Sequence, residues 1–461
     1  MKAATKLSYG VGEAASEVPN SLLSFFLLFF LTNVAGLPPA WAGSVLLVSR
    51  IWDAVSDPVV GWLSDRTRSR WGRRYPWMVA AAIPMGLAFA GMWWVPPLAQ
   101  SAPLFAYYCA VTLLFYATST AVVVPHSTLG AELTQGYDER TGLLSYQAAF
   151  SIGSSILGLG AAQAILALLE RQSDQYLLLG MAGGLVATVA AYVAVGGTWR
   201  RYHQMQGQRA RSQPASAAAW PVLKQFRVAF RNRPFLLVMG IYWCSWVGLQ
   251  VTAAMLPYFV QNWMSLPERH FTQMALAVQG TALASMVAWN WLGQRTGKRA
   301  IYGWGIPITL VAQAGLFLLQ PGQLALMYAL GILAGLGLAT AYLVPWAMLP
   351  DAVDWDELHT GQRREGVFYG AFVQMKKIGT AITLFLVGQV LDWAGFVTQS
   401  GQAGAPEQPE SALWAIRSLT ALIPSLVLAG GLILVALYPI NRERHQQIRM
   451  QLLERARASP R

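Results

Sequence analysis

The sequence predicts an all-α membrane protein with twelve transmembrane helices in two pseudo-symmetric six-helix halves. Three observations lead to this fold class: an apolar composition, about twelve segments long enough to cross a bilayer, and related motifs in the two halves. Of the 461 residues, 55% are hydrophobic and 12% are charged, which is about half the charged share of a soluble domain. So few charges cannot cover a water-soluble chain of this size, which excludes a soluble enzyme, a nucleic-acid-binding protein and a disordered scaffold.

A helix needs about 20 mostly apolar residues to cross a bilayer, and this length defines the predicted elements. The spans of the first half are 8–34, 42–65, 76–97, 103–131, 141–169 and 176–198, and those of the second half are 234–262, 270–293, 299–319, 323–349, 367–395 and 412–439. The longest polar stretch separates the halves. We therefore predict an N-terminal bundle over 1–199, a cytoplasmic central loop over 200–233, a C-terminal bundle over 234–440 and a cytoplasmic basic tail over 441–461.

The net charge of +12 follows the pattern of a membrane topology. The loops on one side of the predicted bilayer hold 27 lysines and arginines, whereas those on the other side hold only Arg171 and Arg269. Because basic loops stay on the cytoplasmic side, both termini and the central loop are predicted to be cytoplasmic in an inner or plasma membrane. The basic excess therefore requires no nucleic-acid partner. Cys109 and Cys244 lie far apart in apolar segments, so neither a disulfide framework nor a metal site built on cysteine is indicated.

The two halves repeat a short basic loop. Residues 61–66 and 72–74 follow the second span, and the related stretch 293–299 follows the eighth. Likewise, Glu132 ends the fourth span and Asp351 ends the tenth. Repeated halves of this kind build the major facilitator superfamily, and the glycine-rich basic loop with its aspartate resembles the signature of that superfamily. The resemblance implies Asp–Arg pairs that hold helix ends together on the cytoplasmic side. The gating candidates are Asp65, Arg66, Arg73 and Arg74.

Ionisable residues inside a span are costly and are therefore functional candidates; Asp53 and Asp57 are the clearest pair. Their i,i+4 spacing places both carboxylates on one face of the second span. Two buried carboxylates at this distance repel each other, and one takes up a proton unless a positive charge lies between them. A desolvated Na+ meets this requirement, and so do a bound proton and a buried lysine. Pro58 can free a backbone carbonyl on the preceding turn, which is a further source of oxygen ligands.

A purely structural role is the alternative for this pair. Lys376 or Lys377 in the eleventh span would then neutralise the two acids and hold the bundle together, and a coupling site that includes the lysine agrees with either interpretation. Arg50, one turn before Asp53, is expected to pair within its own helix. A lone histidine such as His126 is more often packed and hydrogen-bonded than a proton relay.

Several motifs resemble the melibiose-permease-type glycoside–pentoside–hexuronide:cation symporters over essentially the whole chain. They are 52–58 with 65–74, 132–134 with 137–141, and 350–354 with 360–366 and 377–379. The resemblance implies a cation site formed by Asp53, Ser56, Asp57 and Thr120, in which Asp53, Asp57 and Thr120 hold the metal ion if it is Na+, with Lys377 as counter-ion and coupling residue. It also implies transport rather than enzymatic activity, and no cofactor besides the coupling Na+ or H+.

The sugar site of those symporters is matched less well. Its first-span acid falls on Glu17, but the fourth-span acid falls on Val123, its aromatic neighbour on Ser127, and the fifth-span arginine near Gln147 or Ala148. Such a pocket has lost its bidentate partners for sugar hydroxyls, so melibiose itself is not an expected substrate. The substrate-binding candidates are Glu17, Val123, Ser127, Trp346 and Tyr369.

A second branch, the sodium-dependent lysophosphatidylcholine symporters of animals, is also similar. It shares the Trp-Asp-Ala-x-x-Asp-Pro element at 52–58 and resembles the stretches 391–396, 408–410 and 438–440. We therefore predict a monomeric, cation-coupled symporter that moves an organic solute across the membrane by alternating access. A glycoside or related sugar is the leading solute, a lysophospholipid is the alternative, and a non-transporting membrane sensor is a third interpretation. The predicted partners are the solute, small or amphiphilic, and membrane lipids.

Overall fold

The computed structural model describes residues 1–98, 100–134, 137–166, 168–169, 171–209, 229–362, 364–398 and 407–458. Within these residues the chain is helical, with connecting loops and no β-strand. The helices are α1 Ala3–Val11, α2 Ala14–Leu22, α3 Pro39–Arg66, α4 Tyr75–Met92, α5 Ser101–Leu133, α6 Tyr137–Leu166, α7 Gln172–Arg209, α8 Arg233–Tyr258, α9 Arg269–Thr296, α10 Lys298–Leu318, α11 Leu324–Thr360, α12 Glu365–Trp393, α13 Glu410–Arg417, α14 Ile423–Leu437 and α15 Arg442–Ala458. Short π-helical segments lie at Leu23–Leu27, Phe30–Val34, Phe259–Trp263 and Ser418–Leu422.

Ten elements are long and apolar enough to cross a membrane, counted over the described part of the chain. They lie in α4 to α12 and in the continuous stretch Glu410–Leu437, which contains α13 and α14. The other two predicted spans, 8–34 and 42–65, are less regular or more polar. The first is divided between α1, α2 and two π-helical segments, and the second coincides with α3, which carries Arg50, Asp53 and Asp57. The all-helical fold with apolar helices of membrane length is confirmed, and the count of twelve stays a prediction.

The helices pack into two compact units. Unit 1 comprises Met1–Ser216, Leu266–Gln273 and Leu384–Ala412, and unit 2 comprises Ala217–Ser265, Met274–Thr383 and Leu413–Arg461. One part of the unit 1 core contains Tyr9, Tyr75, Met78, Leu129 and Tyr202. The unit 2 core contains Phe235, Tyr242, Tyr302, Met348 and Phe372. Unit 1 therefore draws two short segments from the second half of the chain in addition to the whole of the predicted N-terminal bundle.

Glycines permit the closest helix contacts of unit 1. Where α4 meets α7, a Cβ atom on Gly86 would lie 2.6 Å from the Gly184 carbonyl oxygen. Where α3 meets the end of α12, a Cβ atom on Gly388 would lie 2.9 Å from the Gly43 Cα atom. Helices in a bilayer associate largely through close packing of such small residues. The second contact holds the first part of α3, the helix that carries the acidic pair.

Candidate functional site

In unit 1, the acidic pair and Ser56 of α3 meet Thr120 of α5, and the four side chains form a cluster of oxygen atoms. Asp53 and Ser56 are each 7% exposed, and Thr120 is 3% exposed. The Thr120 hydroxyl lies 3.4 Å from Asp53 Oδ1 and 3.3 Å from Asp57 Oδ1, and Ser56 Oγ lies 3.0 Å from Thr120 Oγ1. The structure thus brings together all four residues of the predicted cation site, which we call the oxygen cluster.

The oxygen cluster has the donor chemistry that a hard cation prefers. Its two carboxylates supply negative charge, and its two hydroxyls supply neutral ligands. The hydroxyl of Ser56 donates to the Asp53 carbonyl oxygen at 3.1 Å, so its lone pairs stay available as acceptors. Thr120 carries a single hydroxyl proton and can donate to only one carboxylate at a time. Asp53 is buried and Asp57 is half-buried. Two neighbouring charges of one sign that are shielded from water are unfavourable, and a monovalent cation or a proton between the carboxylates removes much of that cost.

The arginine one turn before Asp53 does not pair within its own helix as expected. The guanidinium carbon of Arg50 lies 4.9 Å from the ring centroid of Tyr116 in α5. Its buried Nε has no hydrogen-bond partner, and Arg50 forms no ion pair with any residue that the structure describes. The aromatic face of Tyr116 attracts the cation and holds it on the neighbouring helix instead.

We expect Thr120→Ala to weaken cation affinity by about 3- to 10-fold and to change solute affinity less, because it removes one neutral ligand worth roughly 0.5–1.5 kcal/mol. Thr120→Ser keeps the hydroxyl and should retain most of the affinity. The matched control is Thr118→Ala, since the Thr118 hydroxyl donates to the Leu114 carbonyl oxygen of its own helix at 2.7 Å. Cation titrations of solute uptake measure these affinities. An equal loss in the Thr118 variant would contradict the assignment of Thr120 as a ligand.

Three of the four gating candidates join one ion-pair network at the ends of α3 and α5. Arg74, 4% exposed, contacts Asp65 through Nη2, Ser64 Oγ through Nη1 at 2.7 Å and Glu132 Oε1 through Nε at 3.3 Å. Arg73 Nε donates to Glu132 Oε1 at 2.9 Å. The network contains the predicted Asp–Arg pairs and adds Glu132, for which the only sequence signal was an acid at the end of the fourth predicted span.

Arg66 does not join this network. Its guanidinium carbon lies 4.0 Å from the ring centroid of Trp62, one turn earlier in α3. Since the side chain packs on its own helix, it contributes no cross-helix pair to the predicted lock. A gating role for Arg66 therefore has less structural support than one for Arg73 or Arg74.

Unit 2 contains an ion pair related to the network of unit 1. Lys298, at the start of α10, places Nζ 2.7 Å from Asp351 Oδ1 near the end of α11. His445 Nε2 of α15 lies 3.3 Å from the same oxygen. The related loops 72–74 and 293–299 thus each supply a cation to an acid near the end of a long helix, which agrees with the internal repeat read from the sequence.

The substrate candidates of unit 1 lie on two helices. Glu17 of α2 and Val123 of α5 are half-buried, and Ser127 of α5 is exposed. The Ser127 hydroxyl donates to the Val124 carbonyl oxygen at 3.0 Å, so it is bonded to its own helix. Gln147, near the position of the arginine in the resembled sugar site, donates to Glu13 Oε1 at 2.7 Å.

The same Glu13 carboxylate approaches a buried histidine. His126 is 4% exposed, its Nε2 lies 3.4 Å from Glu13 Oε1, and its ring stacks on Tyr9 at 4.6 Å between centroids. Neither ring nitrogen of His126 forms a hydrogen bond in the described part of the chain. The histidine is therefore packed, as expected for a lone histidine in a helix, but it is not hydrogen-bonded.

The substrate candidates of unit 2 belong to an aromatic cluster. Trp346 is 39% exposed, and its ring centroid lies 5.0 Å from Phe372 and 6.4 Å from Tyr369. Tyr242 stacks on Phe372 at 4.2 Å. A wall of this kind combines large apolar area with hydroxyl and indole N–H groups, which suits an amphiphilic or a ring-shaped solute.

Lys376 and Lys377 are adjacent in α12 and follow Phe372 of this aromatic cluster by about one helical turn. Lys376 Nζ is 4.0 Å from the ring centroid of Trp246, whose indole N–H donates to Thr380 Oγ1 at 2.7 Å. Lys377 lies in unit 2, whereas Asp53 and Asp57 lie in unit 1. The counter-ion role of Lys377 stays a prediction.

Glu268 is a half-buried acid that no sequence motif singled out. It precedes α9 and lies in unit 1. Tyr176 donates its hydroxyl to Glu268 Oε1, and Gln172 Nε2 donates to Oε2 at 3.4 Å. Burial raises the pKa of the Glu268 carboxyl above its ordinary range, against the opposing effect of these two hydrogen bonds. A glutamate between two predicted spans reads like any solvated loop residue, so no local signal could have revealed its burial.

We expect Glu268→Gln to make thermal stability less dependent on pH. A carboxyl with a raised pKa in the folded state stabilises the fold only while it is protonated. Wild-type stability should therefore fall as the pH rises from about 4.3, the ordinary glutamate value, through the raised pKa. The variant cannot ionise, and its Tm should lie above that of the wild type at neutral pH. The control is Glu410→Gln at an exposed position. Parallel Tm–pH curves for the wild type and the Glu268 variant would refute this prediction.

The chain matches a transporter family model and is similar to symporters along nearly its whole length. A family model described as MFS/sugar transport protein matches residues 8–442. An uncharacterized symporter of Synechocystis sp. is 42% identical, over 98% of this chain and 96% of the relative. The putative glycoside/cation symporter YagG of Escherichia coli is 27% identical, over 97% and 94% of the two chains. The sodium-dependent lysophosphatidylcholine symporter 1-A of Danio rerio is 26% identical, over 97% and 88%.

The fold is also similar to that of solved transporters. The crystal structure of the nucleoside transporter NupG superposes with a TM-score of 0.63 at 13% sequence identity, covering 93% of this chain and 99% of the other. Similarity at this identity extends to the fold alone.

Proposed function

The chain belongs to the MFS/sugar transport protein family, and we propose that it is a cation-coupled symporter of an organic solute. The observation that carries this proposal is the oxygen cluster of unit 1, in which the Thr120 hydroxyl lies within 3.4 Å of Asp53 Oδ1 and Asp57 Oδ1. A symporter needs a site whose charge balance changes when a cation arrives and leaves. The buried carboxylate of Asp53 and the half-buried carboxylate of Asp57, beside two hydroxyls, provide one. The names of three relatives, which are all symporters, support the proposal.

The coupling ion is Na+ or H+ in this proposal. Na+ would be coordinated by Asp53, Asp57, Ser56 and Thr120, whereas a proton would reside on one of the two carboxylates. In either case the two neighbouring carboxylates can both stay ionised at little cost only while the positive charge is present. Lys377 is proposed to neutralise the pair after the cation has left, so that the empty carrier can return.

The proposed membrane architecture has twelve spans in two six-helix halves. The segment 8–34 and α3 would cross the bilayer in addition to the ten apolar helices. Polar residues in α3 are acceptable there because a buried, functional face is where membrane helices carry ionisable groups. The uneven distribution of basic residues supports cytoplasmic termini. A monomer would alternate between two access states by movement of one half against the other.

A glycoside or a related sugar is the leading solute. The relative YagG is named a putative glycoside/cation symporter, and the family description names sugar transport. Sugar rings pack well on aromatic side chains, which give apolar area together with hydrogen-bonding groups. Trp346 and Tyr369 of unit 2 fit this role, and Glu17 of unit 1 would accept hydrogen bonds from hydroxyl groups.

A lysophospholipid is the second candidate, and a specific observation favours it. The polar residues of the resembled sugar site are replaced by Val123 and Ser127, and Gln147 is bonded to Glu13 rather than free to bind a hydroxyl. The aromatic cluster of unit 2 offers apolar area for an acyl chain. The similar protein of Danio rerio is named a sodium-dependent lysophosphatidylcholine symporter. A non-transporting sensor has less support, since both acids of the pair are present.

The test is the thermal stability of the purified protein as a function of Na+ concentration and pH, with a panel of glycosides and lysophospholipids. A ligand that binds only the folded state raises the Tm once its concentration exceeds the Kd. We expect a cation-dependent rise in the wild type that Asp57→Asn lacks, and a further rise with one class of solute. A cation response identical in the two proteins, with no response to any solute, would show that the proposal is wrong.

A further inference from the structure

Unit 2 contains a basic cavity at the ends of five helices, far along the chain from the acidic pair. Its volume is about 780 Å³. Its walls come from the start of α8, the ends of α11 and α14, the residue before α12 and the start of α15. The charged lining residues are Arg231, Arg233, Asp356, Arg364 and Arg444. Four arginines facing one aspartate give this basic cavity a net charge of +3 with His359 neutral.

Most of this positive charge is not neutralised by ion pairs with the residues that the structure describes. Arg364 is the only one of the four arginines that pairs with the aspartate among described residues, through Nε and Nη2 at 3.0 and 2.7 Å from Asp356 Oδ2. Arg231 and Arg233 form no ion pair with any residue that the structure describes. Arg444 stacks on Trp355, with its guanidinium carbon 5.2 Å from the ring centroid, and stacking leaves the N–H groups at its edge available.

The chemistry of these walls selects for phosphate. Arginine presents a planar fork of donors that matches the oxygens of a phosphate group, and such charge-assisted bonds are the strong ones in proteins. A cavity of several hundred cubic ångströms is large enough for a headgroup with its glycerol moiety. A single carboxylate in the lining, already bonded to Arg364, would not repel the ligand from the remaining arginines.

The surroundings of the cavity favour a lipid as the source of a phosphate ligand. Leu437 both lines the cavity and is 63% exposed at the end of α14, and Ile433, one turn earlier on the same face, is 64% exposed. Leu236, one turn into α8, is 41% exposed. The two helices are adjacent, since a Cβ atom on Gly240 would lie 2.8 Å from Leu434 Cδ1. An apolar surface therefore leads from the basic cavity along α8 and α14, as an acyl chain requires.

We propose that the basic cavity of unit 2 binds the phosphate headgroup of an anionic phospholipid, with the acyl chains along the exposed faces of α8 and α14. The topology predicted from the basic loops assigns this cavity to the cytoplasmic leaflet, where basic pockets between helices bind acidic headgroups. This lipid is distinct from the transported solute, and its site shares no residue with the oxygen cluster or the aromatic cluster.

The test compares lipid-dependent stabilisation of the full-length protein in neutral detergent. Phosphatidylglycerol should raise the Tm of the wild type, and phosphatidylcholine should not. The variant R231Q/R233Q should bind phosphatidylglycerol at least about tenfold more weakly, since it removes two charged donors that would bond the phosphate. The matched control is R68Q/R70Q, which removes two exposed arginines from the loop before α4 on the same predicted side of the membrane. Equal weakening in the control would mean general surface attraction and would overturn the proposal.

Two further measurements complete the test. The first identifies the source of the phosphate, and the second does not require the variant R231Q/R233Q to fold. Free glycerol phosphate should raise the Tm far less than phosphatidylglycerol; an equal effect would overturn the assignment to a lipid. Phosphatidylglycerol brominated near its headgroup should quench the fluorescence of Trp355, so that quenching falls in Trp355→Phe. Undiminished quenching in that variant would place the lipid elsewhere and contradict the proposal.

Discussion

Uptake of the solute under a cation gradient is expected to fall by about 100- to 1,000-fold in Asp57→Asn. The substitution leaves an uncompensated charge, or one ligand too few, in a buried site. Losing one member of a buried charge pair costs roughly 3–5 kcal/mol, and each 1.4 kcal/mol corresponds to about a tenfold change in affinity. Uptake into proteoliposomes under a Na+ or a proton gradient measures the effect. Asp53→Asn should change uptake in the same direction.

The control for this prediction is Asp392→Asn. Asp392 is an exposed acid near the end of α12, so its substitution removes the same charge without touching the oxygen cluster. Expression and the cation-free Tm of Asp57→Asn should stay close to wild type, since relief of repulsion between Asp53 and Asp57 offsets the lost contact. Wild-type uptake by Asp57→Asn under either gradient would remove the acidic pair from the coupling mechanism.

Lys377→Ala is expected to cause the second-largest loss, a severe decrease in net uptake. Without the Lys377 ammonium, the empty carrier would keep two uncompensated carboxylates, and an uncompensated charge that is shielded from water costs several kcal/mol. The return of the empty carrier should then stall or require protonation, so uptake should partly recover at low pH. Lys377→Arg keeps the charge in a different shape and should retain part of the activity. Net uptake and solute exchange, measured side by side, separate the return step from binding.

The neighbouring lysine supplies the control. Consecutive residues of a helix point about 100° apart, and Lys376 places its ammonium 4.0 Å from the ring centroid of Trp246. Lys376→Ala should therefore affect packing of the aromatic cluster and solute affinity more than the return step. If it proved more damaging to net uptake than Lys377→Ala, the register assigned to α12 from its resemblance to known symporters would be off by one residue.

Some features of the site could be read without a structure because they depend on local spacing. The i,i+4 interval places Asp53 and Asp57 on one face of α3 whatever surrounds the helix. By contrast, Thr118 and Thr120 lie two positions apart in one hydroxyl-rich stretch. Composition alone does not tell which of the two hydroxyls faces the acidic pair. The resemblance to known symporters selected Thr120, and the structure agrees: Thr120 reaches both carboxylates while Thr118 bonds its own helix.

Two arginines contact aromatic rings rather than the acidic partners that their positions in the sequence suggested. Arg50 was expected to pair within α3 but stacks on Tyr116 of α5, because an aromatic face on the adjacent helix can hold a guanidinium. Arg66 was expected in the cross-helix lock but packs on Trp62 instead. In both cases the sequence located the charge along the chain, and packing selected its partner.

The sequence by itself determined the class of protein, the positions of ten apolar helices and the facing of the acidic pair, because composition, hydrophobic length and helical periodicity are local properties. Only the tertiary structure decided which distant residues come together: Glu268 with Tyr176, Glu132 with Arg73 and Arg74, and the four arginines that line one basic cavity. These contacts join segments separated by tens to hundreds of residues. Their geometry follows from how whole helices pack, and no pattern within one helix encodes it.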